Sequence, residues 1–180
     1  MSTPLPIEGE KVSLRPFVTD ELNVLWARRV ATAASWMIGP NSYERLKSRV
    51  QNSGRFTDGW LFLAVDADEQ LVGEVEARHI DRSMPPGVFE LGIEMYEESD
   101  RGRGFGSETI ALFTSYLFED YRAERVCGST SIENASMRRV FETCGYALEG
   151  IMRAFMPSTN GRDDYALYAI TKREWAELPH

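Results

Sequence analysis

The chain has 180 residues, 43% of them hydrophobic and 27% charged, which is the length and composition of one ordinary globular domain rather than a disordered or disulfide-stapled one. A net charge of −8 excludes nucleic acid as a main partner, since affinity there rests on a basic surface, and leans toward cationic small molecules. Two cysteines (Cys127, Cys144) and two histidines (His79, His180) are too few for a disulfide framework or a multi-histidine metal centre; no apolar run is long enough for a bilayer, and Met1 to Pro6 lacks the regions of a signal peptide, so no metal, no membrane and a reducing cytoplasm are expected.

Val12-Ser13-Leu14-Arg15-Pro16 alternates and ends at proline, predicting a first strand. Thr19 or Asp20 is positioned to cap a helix running toward Val30, and after the break at Pro40-Asn41-Ser42 a second helix is predicted from Tyr43 to Gln51. Trp60 to Asp66 and Val72 to Ile80 read as a hairpin joined through Ala67-Asp68-Glu69-Gln70, and Val88 to Tyr96 as a fourth strand after the turn at Pro85-Pro86-Gly87. A glycine-rich loop from Glu97 to Gly106 leads into a helix from Ser107 to Tyr121, on which Ile110, Phe113, Leu117 and Tyr121 share one face. A strand over 124–130 follows, then a helix over 134–144 with Gly145 as its C-terminal stop, and a closing strand pair over 146–155 and 164–171. This order predicts an α/β domain with a mixed sheet.

The most informative stretch is Arg101-Gly102-Arg103-Gly104-Phe105-Gly106-Ser107. Glycines between a strand and a helix let backbone amides converge on one point, and the positive end of the helix favours an anion there. A phosphate or pyrophosphate is the natural guest, with Arg101 and Arg103 as added positive charge. A P-loop would need Gly-Lys-Ser/Thr at its end, and a dinucleotide fingerprint would need a third glycine where Ser107 stands.

The loop and the order of elements together resemble the GNAT superfamily of acyl-coenzyme A-dependent N-acyltransferases, whose signature Gln/Arg-x-x-Gly-x-Gly/Ala is matched by Arg101, Gly104 and Gly106. Val12 to Pro16 is similar to the opening Leu-Arg-Pro of the RimJ/RimL branch, and Asn134-Ala135-Ser136 through Gly145-Tyr146-Ala147-Leu148-Glu149-Gly150 to its downstream run. Asp164-Tyr165 through Glu174-Trp175 resembles the branch's closing segment, so the resemblance spans roughly residues 10 to 176 of one domain, 1–180. It implies a twisted, mostly antiparallel sheet whose parallel fourth and fifth strands splay to admit coenzyme A. The implied activity is transfer of an acetyl group from acetyl-CoA to a primary amine, either a protein N-terminal amine or a small cationic amine. A non-catalytic coenzyme A-binding sensor and an enzyme using another acyl-CoA such as succinyl-CoA are the alternatives, and a homodimer is open.

The resemblance also distributes roles. The pyrophosphate would lie on Arg101, Gly102, Arg103, Gly104, Phe105, Gly106 and Ser107, and Asn134 would reach the pantetheine. The thioester would meet strand backbone near Ile93, Met95 and Tyr96, and Gly92, an isolated glycine in that strand, predicts a bulge or a close approach there. Glu90 and Glu94 fall on one strand face and are the candidate general bases. The family's usual acid is a tyrosine where this chain has Phe141, which leaves Ser136 as the candidate proton donor. Trp26, Trp36 and Trp60 are candidates for lining an acceptor pocket, Arg153 for meeting an acceptor carboxylate or cofactor phosphate, and His79 reads as structural.

Overall fold

In the computed structural model, residues 3–32, 38–79 and 83–179 are described; Trp36 and Ile80 lie outside them. Eight strands form one sheet: β1 (Ile7–Glu8), β2 (Ser13–Arg15), β3 (Trp60–Ala67), β4 (Gln70–Arg78), β5 (Val88–Met95), β6 (Arg125–Ser131), β7 (Ala147–Ser158) and β8 (Gly161–Thr171). The helices are α1 (Leu22–Thr32), α2 (Ser42–Gln51), α3 (Phe105–Asp120), α4 (Ala135–Thr143) and α5 (Lys172–Ala176). The strand order is β1-β2-β3-β4-β5-β6-β8-β7, and only β5 and β6 run parallel. The two-residue edge strand β1 has no alternation to announce it, so the predicted fourth and fifth strands are β5 and β6.

β3 reads as the apolar run Trp60-Leu61-Phe62-Leu63-Ala64-Val65 because both of its faces are covered. Leu61, Leu63 and Val65 join the larger core beneath α3, with Ile110, Phe113, Leu117, Phe89, Leu91 and Val126. Phe62 and Ala64 turn the other way, to Phe17, Leu22 and Leu25 near α1 and Leu46 and Val50 of α2. Asp68 and Glu69 both have positive φ (51° and 62°), the signature of the two-residue turn that matches strand twist, and it closes the β3–β4 hairpin.

Two local expectations are corrected. Neither Thr19 nor Asp20 caps α1: a short 3₁₀ turn over Thr19–Glu21 precedes it, and the Glu21 carboxylate accepts from the Val18 amide at 2.8 Å while pairing with Arg15 at 2.6 Å. The Gly92 bulge is also absent, because β5 stays in unbroken register with β4 from Gly73↔Met95 to Arg78↔Glu90.

The decisive feature lies on the other side of β5. It pairs with β6 only at Val88↔Arg125, Phe89↔Val126 and Glu90↔Cys127, although β5 continues to Met95 and β6 to Ser131. The strands therefore part after Glu90. At the parting sits the Phe141 ring, 1% exposed and stacked on Tyr168 at 5.2 Å. A Cβ on Gly128 would lie 2.7 Å from its Cζ, so glycine is what seats the ring there. Gly128→Ala should lower unfolding stability by about 2 kcal/mol, the usual scale of overpacking, read as a shift of the urea midpoint.

Candidate active site

Phe105 opens α3 two residues earlier than the sequence predicts, with Gly104 as N-cap at φ 89°, a conformation that glycine adopts without penalty. The first amides of α3, from Phe105 to Ser107, have no partner inside the helix and carry its positive end. A Cβ at Gly104 would stand 2.8 Å from the Lys11 Nζ, so an ammonium from before β2 overhangs the loop. Glu108 in the first turn of α3 fixes that segment, accepting from the Lys11 amide at 2.9 Å and from the Glu10 amide. Arg103 is engaged within the loop region, with Asp68 at 3.1 Å and Asp100 at 3.5 Å. Arg101 is exposed and, among the described residues, makes no ion pair.

From this loop, β5 leads back along the opening. The Tyr96 amide donates to the Val72 carbonyl at 2.9 Å, so it is spent on the β4 side and not offered to a thioester. Strand amides alternate in direction, hence those of Ile93 and Met95 point toward β6, where pairing has ended. They are the backbone donors available in the opening.

One face of the cleft is a charged row. Glu74, Glu76 and Arg78 of β4 stand opposite Glu94, Gly92 and Glu90 of β5. Arg78 pairs with Glu90, Arg49 with Glu76 at 3.0 Å, and Arg29 with Glu74 at 2.8 Å. The Tyr96 hydroxyl also donates to Glu74, at 2.8 Å, and this burial beside carboxylates pushes its pKa far up. Burial raises the Glu76 carboxyl above the usual range, against the opposing pull of Arg49. The Glu94 carboxyl is exposed, yet desolvation and then the negative charge of Glu74 raise it too. Among the described residues, Glu94 is the carboxylate of this row without an ion pair or hydrogen bond.

Glu74, Glu76, Arg78 and Lys11 went unmarked in the sequence. The alternation Glu74-Val75-Glu76-Ala77-Arg78 on a central strand was a usable signal, since a central strand has little reason to carry charge on one face. Nothing local announces Lys11, which reaches Gly104 only through the fold.

Across the opening, the Asn134 side chain caps α4 by accepting from the Met137 amide at 3.0 Å, which leaves its NH₂ free to donate elsewhere. Ser136 is exposed in the first turn of α4. The buried Tyr168 beside Phe141 is no substitute acid, because its hydroxyl donates to Glu142 at 2.9 Å and accepts from Arg138 at 3.3 Å. Cys127 of β6 stands in register with Glu90 of β5, its thiol donates to the Phe89 carbonyl at 3.5 Å, and burial followed by the Glu90 carboxylate raises its pKa. Trp26 packs edge-on against Tyr43, and Trp60 lies under Arg49 at 3.6 Å. His79 contacts the Val88 carbonyl through Nδ1 at 2.8 Å. No group of three or more metal-ligating side chains occurs, and no helix is long and apolar enough to cross a membrane, among the described residues.

Comparison with known proteins agrees with this architecture. The family described as "Acetyltransferase (GNAT) domain" matches residues 11–147. The SPbeta prophage-derived uncharacterized N-acetyltransferase YokL of Bacillus subtilis is 28% identical over 123 residues, 68% of this chain and 67% of that protein. The probable N-acetyltransferase YjcK of the same organism is 26% identical over 104 residues, 58% of this chain, and the match spans only 56% of YjcK. In fold, Mycobacterium smegmatis RimJ in complex with CoA-disulfide superposes with a TM-score of 0.73 at 20% identity, over 94% of this chain and 84% of that one.

Proposed function

Given that the chain belongs to the GNAT acetyltransferase family, we propose that it is an N-acetyltransferase, carrying an acetyl group from acetyl-CoA to a primary amine by direct attack within a ternary complex. The observation that carries this reading is the parting of β5 from β6 after Glu90↔Cys127, which exposes strand amides in line with the N-terminus of α3. The residues present fit the cofactor. Glycine at position 104 keeps clear the approach that a Cβ would obstruct, the amides of Phe105 to Ser107 receive the pyrophosphate, and Lys11 and Arg101 add charge. The Ile93 and Met95 amides bind the pantetheine arm and the thioester oxygen, where they stabilise the negative charge that develops.

Glu94 is the proton acceptor for the incoming ammonium, directly or through water. Its raised pKa makes it a better base than an ordinary surface carboxylate, with Arg29 and Arg28 only moderating the rise, and among the described residues it is held in no ion pair. Glu90, held by Arg78, shapes the same face and is the second candidate for that role. Ser136 donates to the leaving thiolate, and Asn134 supports the pantetheine through its free amide hydrogens. Ser136→Ala should lower kcat about tenfold with little change in cofactor affinity and no recovery at high pH, in steady-state rates measured across pH.

The experiment that tests the function is release of free thiol from acetyl-CoA against a panel of amines, paired with calorimetric titration of acetyl-CoA. Amine-dependent thiol release is expected. Binding without turnover on any amine would instead favour the non-catalytic coenzyme A sensor, the reading that Phe141 at the usual tyrosine position supports.

A further inference from the structure

Beside the charged row, a cavity of about 180 Å³ opens between α2 and the start of β3. Arg45, Ser48 and Arg49, spaced to share one face of α2, and Asn52 at its C-terminal cap meet Arg55 and Trp60 across it. Three guanidinium groups thus line it against a single carboxylate, Asp58, on a chain whose net charge is −8. Arg49 is half-committed, stacked 3.6 Å over the Trp60 ring and paired with Glu76. The Arg45 side chain has one hydrogen bond, to the Ser42 hydroxyl at 3.1 Å, and Arg55 has no carboxylate partner among the described residues. Arg45 and Arg55, without a carboxylate partner among the described residues and set beside a tryptophan wall, are poorly explained by packing.

Its position relative to the reaction follows from strand register. Trp60 stands opposite Arg78, and Arg78 opposite Glu90. Two inter-strand spacings, roughly 10 Å, therefore separate the Trp60 wall from Glu90; Phe62, also in the lining, stands at the same remove from Gly92, two residues short of Glu94.

We propose that this cavity receives an oxyanionic group of the acceptor, so that the substrate is a small amine bearing a carboxylate or phosphate some distance from its reacting nitrogen. Planar guanidinium forks suit bidentate capture of either group, with Ser48 as a further donor and the Trp60 ring shielding the contact from water. The whole-chain charge, which leans toward cationic amines, is thus reversed locally. The amine end of this inference rests on the acetyltransferase reading; the anion site rests on the cavity alone.

The test has two arms. Acetate and inorganic phosphate are titrated separately at low salt by calorimetry, with tryptophan emission as a second signal, on the parent, Arg55→Ala and Arg45→Ala. Saturable binding of at least one anion is expected, weakened about tenfold in either variant, and the stronger binder identifies carboxylate or phosphate. In the second arm, thiol release is compared for hexylamine, aminohexanoate and aminohexyl phosphate. An anionic acceptor is expected to exceed hexylamine about tenfold in kcat/KM, and Arg55→Ala to erase the difference through KM while acetyl-CoA affinity stays at the parent value. Anion binding that needs Arg55, without acetylation of any amine, would uphold the site and sink the acetyltransferase reading. Acetylation of hexylamine and the anionic amines at equal kcat/KM, with no saturable anion binding, would overturn the inference and leave that reading standing. Binding untouched by both arginine substitutions would overturn it too.

Discussion

Gly104→Val should reduce affinity for acetyl-CoA about a hundredfold while leaving the protein folded. Valine at φ 89° carries backbone strain of about 1–3 kcal/mol, enough to lower Tm by roughly 5 °C in a domain of this size. The larger effect is local. Its Cβ takes the place now approached by the Lys11 Nζ at 2.8 Å, so the substitution displaces a cation and adds bulk where the pyrophosphate meets the helix amides. Lys11→Ala should cost less, about tenfold at low ionic strength, and less again as salt is raised, because an exposed ammonium is screened. Calorimetric titration with acetyl-CoA and with pantetheine lacking phosphates separates the two contributions. Parent-like affinity in Gly104→Val would reduce the loop to a simple turn.

Glu94→Gln should lower kcat/KM about a hundredfold near neutral pH, the low end of what a positioned base contributes, with cofactor affinity unchanged. The loss should shrink as pH rises, because more acceptor is then already free amine. In the parent, the acidic limb of the rate profile should fall above the usual carboxylate range, since desolvation and Glu74 raise this group, and that limb should vanish in the variant. The same shift carries a stability consequence. A carboxyl whose folded pKa exceeds its unfolded value contributes stability below the unfolded pKa and loses it as pH rises through the folded one. Glu94→Gln should therefore melt higher than the parent at neutral pH and alike in acid below the ordinary carboxylate range. If Glu90→Gln removed the acidic limb and Glu94→Gln kept it, the base would be Glu90.

Much of this molecule was legible because its signals are local. The apolar run of β3, the Asp68-Glu69 turn and the α3 face of Ile110, Phe113 and Leu117 follow from period and turn chemistry, and the loop from Arg101 to Ser107 stands out by its glycines. Alternation also put Glu90 and Glu94 on one face of β5 without help from the fold. Tertiary structure decided what depends on partners distant in the chain. Only register shows that Arg78 holds Glu90 and leaves Glu94 unpaired, or that the Tyr96 amide is spent on Val72 while those of Ile93 and Met95 face an opening. Only packing brings Lys11 over Gly104 and gathers Arg45, Arg49 and Arg55 around one cavity on an acidic chain. A side chain's conformational preference is written in its neighbours along the sequence, but its charge environment is a sum over neighbours in space, and that sum exists only once the chain has folded.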